Sequence, residues 1–336
     1  MTIASEQVRC VGALGLAGDA LVLYRRCESD LGAAWSALLD KPTETPATTV
    51  AALWHAAAGQ PHSVQRACDF ALPVLDTTGI KRLRELIARR LQGAPLAYLT
   101  GRQQFMGVEF NASAEALIPR VETELLGYAA LEQLHTIIRE RHRAIVIDVC
   151  TGSGNLALAL ACYEPHARVW GSDLSTDAVL LARRNAAHHN LSDRVTFLAG
   201  DLLSPFDVPG FHGKVDLLVC NPPYISSGKV DTLPGEIIGY EPRLAFDGGP
   251  LGIRVLQRLI NEAPRLLCDD GWLAFEVGLG QGRGMRRRIE QHGSYHDVRE
   301  IADRGGEVRA LLARARMPRV SDARHPSPGD ANGTGV

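Results

Sequence analysis

Apolar residues recur at helical spacing in the first part of the chain. Up to about residue 97 they stand three or four positions apart with Arg and Lys between them, most clearly over 48–58, 63–74 and 80–91. Prolines separate these stretches, as is usual at helix boundaries. The pattern predicts a small helical domain, which either docks a partner or only stabilises the rest of the molecule.

A different period begins near residue 103. Apolar residues there alternate with polar ones on both sides of Gly107, from Phe105 to Phe110. Alternation around a glycine is typical of two short antiparallel strands joined by a tight turn. The sequence therefore predicts a β-hairpin directly after the helical region.

A short linker follows the hairpin. Residues 117–124 read LIPRVETE and lead into a helix whose start Glu122 or Thr123 would cap. Arg120 and Glu124 carry opposite charges and could form a pair that holds this linker in place. The alternative, which these residue types favour, is a solvated charge pair.

Strands and helices alternate from residue 143 onward, the pattern of a doubly wound α/β fold. The predicted strands are 144–149, 167–171, 195–199, 215–220 and 271–277, and residues 296–302 and 308–315 form a closing antiparallel hairpin. The predicted helices between them are 156–162, 176–188, 253–268 and 281–292. About 25 residues separate the fourth strand from the next helix, and a loop of that length is usually functional.

These patterns predict four regions along the chain. They are a helical docking domain with an N-terminal extension (1–100), a β-hairpin linker (101–124), an α/β domain (125–316) and a disordered tail (317–336). The tail is assigned from its content of Pro, Gly, Ser and Asp.

Composition and net charge limit the classes of protein to which this chain can belong. The 336 residues carry a net charge of −2, which does not favour a nucleic-acid partner, and 46% of them are hydrophobic, enough for a buried core. The seven cysteines are scattered without a C-x-x-C pair, as expected for reduced thiols in a cytoplasmic protein. No run of 18 apolar residues and no metal-binding spacing such as H-E-x-x-H occurs, so neither a membrane segment nor a metal is expected.

The fourth predicted strand stops at Asn221-Pro222-Pro223-Tyr224. Two consecutive prolines cannot continue a sheet, so the loop is rigid and lies where open α/β sheets bind ligands. A planar NH2 group needs hydrogen-bond acceptors, which the Asn221 side-chain oxygen and the Pro222 carbonyl would supply. Tyr224 would lie against the acceptor group and a positively charged methyl donor. The alternative is an ordinary proline turn after a strand.

Three other strand ends carry residues suited to a nucleoside. Cys150 to Gly154 form a glycine turn that matches neither a P-loop nor G-x-G-x-x-G. Asp173, at the second strand end, would accept from ribose hydroxyls. Asp201 would accept from the adenine amine, with Leu202 against the ring. Asp173 or Asp201, taken alone, is explained equally well as a turn or helix-cap residue. Strand ends that lie in register, however, favour one nucleoside-sized ligand.

The chain resembles the HemK/PrmC family of N5-glutamine methyltransferases that act on peptide chain release factors. The motifs that carry the resemblance run from about residue 48 to 316 and are PLAYLTGRQQFMGVEF, LIPRVETE, DVCTGSGNLALALA, SDLS, GDLL, NPPYI, EPRLAFDGGPLG and FEVGLGQG. The resemblance implies a class I methyltransferase fold with a mostly parallel seven-stranded sheet. It also implies S-adenosylmethionine as methyl donor, S-adenosylhomocysteine as product and the Gly-Gly-Gln loop of a release factor as acceptor.

The same resemblance assigns roles to residues. The catalytic residues would be Asn221, Pro222 and Tyr224. The donor would contact Asp148, Cys150, Thr151, Gly152, Ser153, Gly154, Asp173, Leu174, Asp201, Leu202 and Asn221. The acceptor would contact the loop from Asn221 to Tyr224, including Pro223, together with Phe105, Pro119, Arg120 and Glu122.

Two features depart from the family pattern and leave the acceptor open. Cys150 stands where release-factor enzymes usually have glycine and resembles enzymes that modify a ribosomal protein. The first 47 residues are an extension. The alternatives are a ribosomal-protein glutamine, a small amide or amine of secondary metabolism, adenine N6 of nucleic acid, or a binding module that has lost catalysis.

Overall fold

The computed structural model of the protein describes residues 15–34 and 41–316. The predicted tail at 317–336 and part of the N-terminal extension lie outside the described residues. The first part of the structure is helical: α1 (Gly18–Ala33), α2 (Pro46–Ala57), α3 (Val64–Ala67), α4 (Thr77–Leu91) and α5 (Leu96–Thr100). These helices enclose a core of their own around Tyr24, Trp54 and Leu83.

The helix predicted over 63–74 is wrong, since only α3 forms there. Pro73 disfavours helical backbone at the residue before it, so the chain continues in an irregular path. The Pro73 carbonyl accepts a hydrogen bond from Trp54 Nε1 at 2.8 Å. This stretch therefore covers the helical core instead of extending it.

The predicted hairpin forms from β1 (Arg102–Phe105) and β2 (Val108–Asn111). Met106 and Gly107, the two residues of its turn, both have positive φ (49° and 77°), which suits the twist of a two-residue hairpin. Phe105 and Phe110 are fully buried against the α/β part of the chain. The hairpin is thus anchored by its aromatic face.

The large sheet has seven strands in the order β5-β4-β3-β6-β7-β9-β8, which confirms the predicted fold class. The strands are β3 (Ala144–Val149), β4 (Ala167–Asp173), β5 (Val195–Ala199), β6 (Val215–Cys220), β7 (Leu267–Glu276), β8 (Tyr295–Ala302) and β9 (Val308–Ala315). The strands β5, β4, β3, β6 and β7 run parallel, and β9 and β8 close the sheet antiparallel.

Helices cover both faces of this sheet. On one face lie α6 (Thr123–Arg141), α7 (Asn155–Tyr163) and α8 (Thr176–His188), and on the other lie α11 (Arg254–Glu262) and α12 (Gly282–His292). Neighbouring strand residues point to opposite cores, Leu217 to the first and Leu218 to the second. Burial on both faces explains why the central strands read as continuous apolar runs.

The chain between β6 and α11 contains two one-turn helices, α9 (Ser227–Val230) and α10 (Gly235–Ile238). Helix α11 ends at Glu262, six residues before the predicted end, because Pro264 cannot continue an α-helix. Among the described residues, no helix has the length and apolar character needed to cross a bilayer.

Gly171 in β4 has no room for a side chain. A Cβ there would lie 2.6 Å from Cδ1 of the buried Phe197 ring. We expect Gly171→Ala to lower the free energy of unfolding by about 1–3 kcal/mol, measured by urea denaturation, because the ring must leave its packed position.

Two further variants separate this clash from other effects. Gly171→Ala combined with Phe197→Leu should cost less than the sum of the single changes. Gly210→Ala, where a Cβ meets nothing within 4 Å, should leave stability unchanged. Additive costs in the double variant would show that the ring is not the cause.

Candidate active site

A cleft of about 290 Å³ opens at the carboxyl ends of the parallel strands. The sequence-predicted residues that line it are Pro119, Arg120, Cys150, Thr151, Gly152, Asp173, Leu174, Asp201, Leu202, Asn221 and Pro223. Five separate segments of chain therefore meet at one site, as the register of strand ends predicted. The other predicted residues, Asp148, Ser153, Gly154, Pro222, Tyr224, Phe105 and Glu122, lie outside the lining of the cleft.

The glycine turn after β3 is tightly folded. Cys150, Gly152 and Gly154 all have positive φ, at 58°, 55° and 81°. Glycine adopts this backbone freely, whereas cysteine at position 150 adopts it at some cost. At Gly152 a Cβ would meet nothing within 4 Å, so open space borders the backbone where the cleft begins.

Asp148 supports this turn from below. Its side chain is fully buried, and Oδ2 accepts from Thr151 Oγ1 at 2.6 Å and from the Ala157 N–H at 3.2 Å. Burial raises the pKa of this carboxyl to about 7. Asp148 therefore shapes the cleft through Thr151 and does not line it.

Asp173 ties the end of β4 to the glycine turn. Oδ2 accepts from the Gly152 N–H and Oδ1 from the Ser175 N–H, both at 2.9 Å. Burial raises the pKa of the Asp173 carboxyl above its usual range. Asp173 lines the cleft, and a carboxylate oxygen accepts more than one hydrogen bond, which is what a ribose hydroxyl requires.

At the end of β5, Asp201 already has a cationic partner. Arg258 Nη1 donates to both carboxylate oxygens, at 3.0 and 2.9 Å, and both side chains line the cleft. Leu202 has φ +52° and is buried, whereas Leu174 is 58% exposed. The apolar surface offered to a planar ring at this end therefore includes Leu174 as well as Leu202.

The loop after β6 presents Asn221 and Pro223 to the cleft. Asn221 Nδ2 donates to Thr123 Oγ1 at 3.0 Å. Pro222 is buried behind them, and the Tyr224 hydroxyl donates to Glu276 Oε1 at 2.9 Å. Burial and the neighbouring Glu276 carboxyl raise the pKa of Tyr224, which keeps this phenol protonated.

The linker over the cleft is held by a different ion pair from the one that the sequence predicted. Arg120 pairs with Glu241, whose buried carboxylate also accepts from the Ile118 N–H at 3.1 Å. The predicted Arg120–Glu124 pair is wrong, because Glu124 accepts from the Met106 N–H at the hairpin turn, at 2.7 Å.

Two further expectations for this region need correction. Glu122 occupies the N-cap position of α6, but neither it nor Thr123 makes a side-chain cap hydrogen bond. Phe105 is 0% exposed and belongs to the core, so it does not shape an acceptor pocket directly. Its aromatic ring anchors the hairpin instead.

Sequence reasoning missed four residues that organise the site: Thr123, Asn185, Glu241 and Glu276. Asn185, fully buried on α8, accepts from Asn111 and donates to the Ser153 carbonyl at 3.0 Å, which joins the hairpin to the glycine turn. Glu241 and Glu276 stand inside the quoted motifs EPRLAF and FEVG. The sequence signal for Glu241 and Glu276 was an acidic residue within an apolar segment.

No group of His, Cys, Asp and Glu within residues 15–34 and 41–316 is arranged to hold a metal ion.

Residues 129–253 match the family described as Methyltransferase small domain. Among solved structures, ribosomal protein L11 methylase from Lactobacillus delbrueckii subsp. bulgaricus superposes with a TM-score of 0.42 at 22% identity, over 60% of this chain and 82% of that one. The release factor glutamine methyltransferase of Moorella thermoacetica is 40% identical over 235 residues, 70% of this chain and 80% of its own length. That of Geobacter sulfurreducens is 41% identical over 198 residues, 59% of this chain and 66% of its own length.

The Arg120–Glu241 contact yields a stability prediction. Because the Glu241 side chain is 0% exposed, Glu241→Gln leaves Arg120 facing a neutral partner in a buried place. We expect a loss of about 1–3 kcal/mol in the free energy of unfolding by urea denaturation. The matched control is Asp231→Asn, which breaks the exposed pair with Arg243 on the same loop and should leave stability unchanged. Equal losses from the two changes would refute the role of Glu241.

Proposed function

Because this chain belongs to the release factor glutamine methyltransferase family, we propose that it methylates the side-chain amide nitrogen of a glutamine in a peptide chain release factor. The methyl donor is S-adenosylmethionine, and the acceptor is the glutamine of a Gly-Gly-Gln loop. A bond forms between the amide nitrogen and the methyl carbon while the sulfonium carbon–sulfur bond breaks. The nitrogen then loses one proton to water, and S-adenosylhomocysteine is released.

The donor half of the cleft suits a nucleoside with a charged tail. Gly152 leaves its backbone open to a ligand, and the Asp173 carboxyl lines the same space. Asp201, Leu202 and Leu174 would contact the adenine end, with Arg258 holding the Asp201 carboxylate in place. When bound, S-adenosylmethionine supplies an already activated methyl group, so the protein needs to supply position more than acid or base groups.

The proposed binding of the methyl acceptor rests on the position of Asn221. Its Nδ2 is used by Thr123, so Oδ1 is the atom left for a substrate. An amide nitrogen is a weak nucleophile, and a hydrogen bond from its NH2 group to Asn221 Oδ1 would orient its lone-pair axis toward the donor. Orientation of two reactants can supply on the order of 7–11 kcal/mol of the barrier reduction.

The remaining parts of the chain fit a protein acceptor. The N-terminal helices have their own core and meet the catalytic part at the hairpin, so a release factor would dock across both. A reducing compartment such as the cytoplasm would keep Cys150, which lines the cleft, and its buried neighbour Cys220 as thiols.

One experiment tests the acceptor directly. Purified enzyme is incubated with S-adenosylmethionine and, separately, with unmethylated release factor or unmethylated ribosomal subunits, and the products are mapped by peptide mass spectrometry. We expect one added methyl on the Gly-Gly-Gln glutamine. A methyl on a ribosomal protein alone would redirect the proposal to that acceptor, and bound donor with no methylated product would overturn it.

Asn221→Ala should separate transfer from donor binding. Losing one acceptor for the substrate amide in a water-poor cleft should lower kcat by on the order of a hundredfold or more, measured with release factor as acceptor. Donor affinity by calorimetry should stay within about twofold, since the donor would keep its contacts to Asp173 and the glycine turn. Donor affinity that falls in step with kcat would argue against Asn221 as the residue that holds the acceptor amide.

Asp173→Asn should act on donor binding first. Replacing the carboxylate removes an acceptor for ribose hydroxyls, so the Kd for S-adenosylmethionine should rise about tenfold or more. Because burial raises the pKa of Asp173, donor affinity of the wild-type protein should fall as pH is lowered, and Asp173→Asn should show less of this fall. Asp177→Asn, exposed on α8, is the control. An unchanged Kd in Asp173→Asn would remove this residue from the donor site.

A further inference from the structure

The two ends of the Asn221 side chain have opposite hydrogen-bonding character. Oδ1 accepts, whereas Nδ2 donates, so the site recognises different groups depending on which end faces the cleft. A glutamine NH2 needs an acceptor. A glutamate carboxylate, of nearly the same shape, needs a donor. Whatever fixes the rotation of Asn221 therefore decides between these two side chains.

Thr123 is the direct partner of Asn221. Asn221 Nδ2 lies 3.0 Å from Thr123 Oγ1, at the first residue of α6, and Thr123 is 2% exposed. A hydroxyl can accept from an NH2 group or donate to a carbonyl oxygen, so this contact by itself allows either rotation of the amide. The choice depends on where the single hydroxyl proton of Thr123 goes.

Glu276 emerges beside Asn221 and is the group to which that proton can go. This carboxyl is 2% exposed at the end of β7, and Oε1 accepts from Tyr224. Oε2 makes no hydrogen bond of good geometry within the described part of the chain. Burial raises the pKa of Glu276, and the neighbouring Thr123 and Tyr224 hydroxyls act in the opposite direction, as donors to a carboxylate would.

A carboxylate accepts and does not donate. With its proton directed to Glu276, Thr123 keeps only lone pairs for Asn221, which must then turn Nδ2 toward Thr123 and Oδ1 toward the cleft. Burial makes the alternative costly, because two acceptors would face each other without water.

We propose that Glu276, acting through Thr123, is a positioning residue that holds Asn221 with its oxygen toward the acceptor and so makes the site accept glutamine and reject glutamate. This inference rests on the proposed methyl transfer to a glutamine amide. It adds a specificity determinant that lies behind the cleft wall, outside the residues that line it.

The three residues come together through the fold. Cys220 and Phe275 are register partners in adjacent parallel strands, so the residues that follow them, Asn221 and Glu276, emerge side by side. Helix α6 then begins with Thr123 in contact with Asn221. The arrangement is a consequence of strand pairing and is not created by a flexible loop.

Glu276→Gln is the most direct test because it preserves shape. Its carboxamide can donate to Thr123, which frees the Thr123 proton for Asn221 and allows the amide to rotate. With a Gly-Gly-Gln peptide as acceptor, kcat/KM should fall roughly ten- to hundredfold. The matching Gly-Gly-Glu peptide should become a relatively better competitive inhibitor, so the ratio of its inhibition constant to the KM for glutamine should fall by a similar factor.

Two variants of Thr123 test the proposal even if Glu276→Gln folds poorly. Thr123→Ser keeps the hydroxyl and should retain kcat/KM and the discrimination between the two peptides. Thr123→Val keeps the size, loses the hydroxyl and should lose both. The Kd for S-adenosylmethionine, measured by calorimetry, should change less than about twofold in all three variants.

The outcomes separate the two proposals. Wild-type enzyme that transfers no methyl to a release factor or its peptide overturns the proposed function and this inference with it. Active wild-type enzyme overturns only the inference if Glu276→Gln keeps the same preference for glutamine over glutamate, or if Thr123→Val performs as well as Thr123→Ser. Loss of activity with unchanged discrimination would indicate that Glu276 is merely structural.

Discussion

The abrupt end of β6 is the constraint on which the rest of this site depends. Two consecutive prolines prevent further strand pairing. Asn221, the residue before them, is therefore held at the carboxyl edge of the sheet. The neighbouring strands end at the same edge and bring the glycine turn and Asp173 to within reach of one ligand. A rigid loop on a rigid sheet gives the precision that transfer to a weak nucleophile requires.

Carboxyl groups at strand ends hold the loops that form the cleft. Asp148, Asp173 and Glu276 lie at the ends of three different strands, and burial raises the pKa of each. Each carboxyl accepts hydrogen bonds from a segment that forms the cleft, from Thr151, Gly152 and Tyr224 respectively. Asp148 and Glu276 do this from behind the lining residues, whereas Asp173 itself lines the cleft.

The far wall of the cleft is assembled from distant parts of the chain. Glu241, in the long segment after β6, holds the linker through Arg120 and the Ile118 N–H. The hairpin before that linker is joined in turn to α6 through Glu124 and to the glycine turn through Asn185. The hairpin and the linker are therefore tied to the walls of the cleft by side chains that are distant in sequence.

The sequence by itself determined the catalytic fold and the positions of the loops that form the site. Strands β3, β5, β6 and β9 match their predicted bounds because buried apolar runs and the Gly or Pro residues that end them are local signals. Only the tertiary structure decided the side-chain partners. Arg120 pairs with Glu241 across 121 positions and Asn221 meets Thr123 across 98, whereas the local pattern suggested Arg120 with Glu124. Such pairs depend on which strands lie side by side and which helix packs over them, and periodicity along the chain carries no information about that.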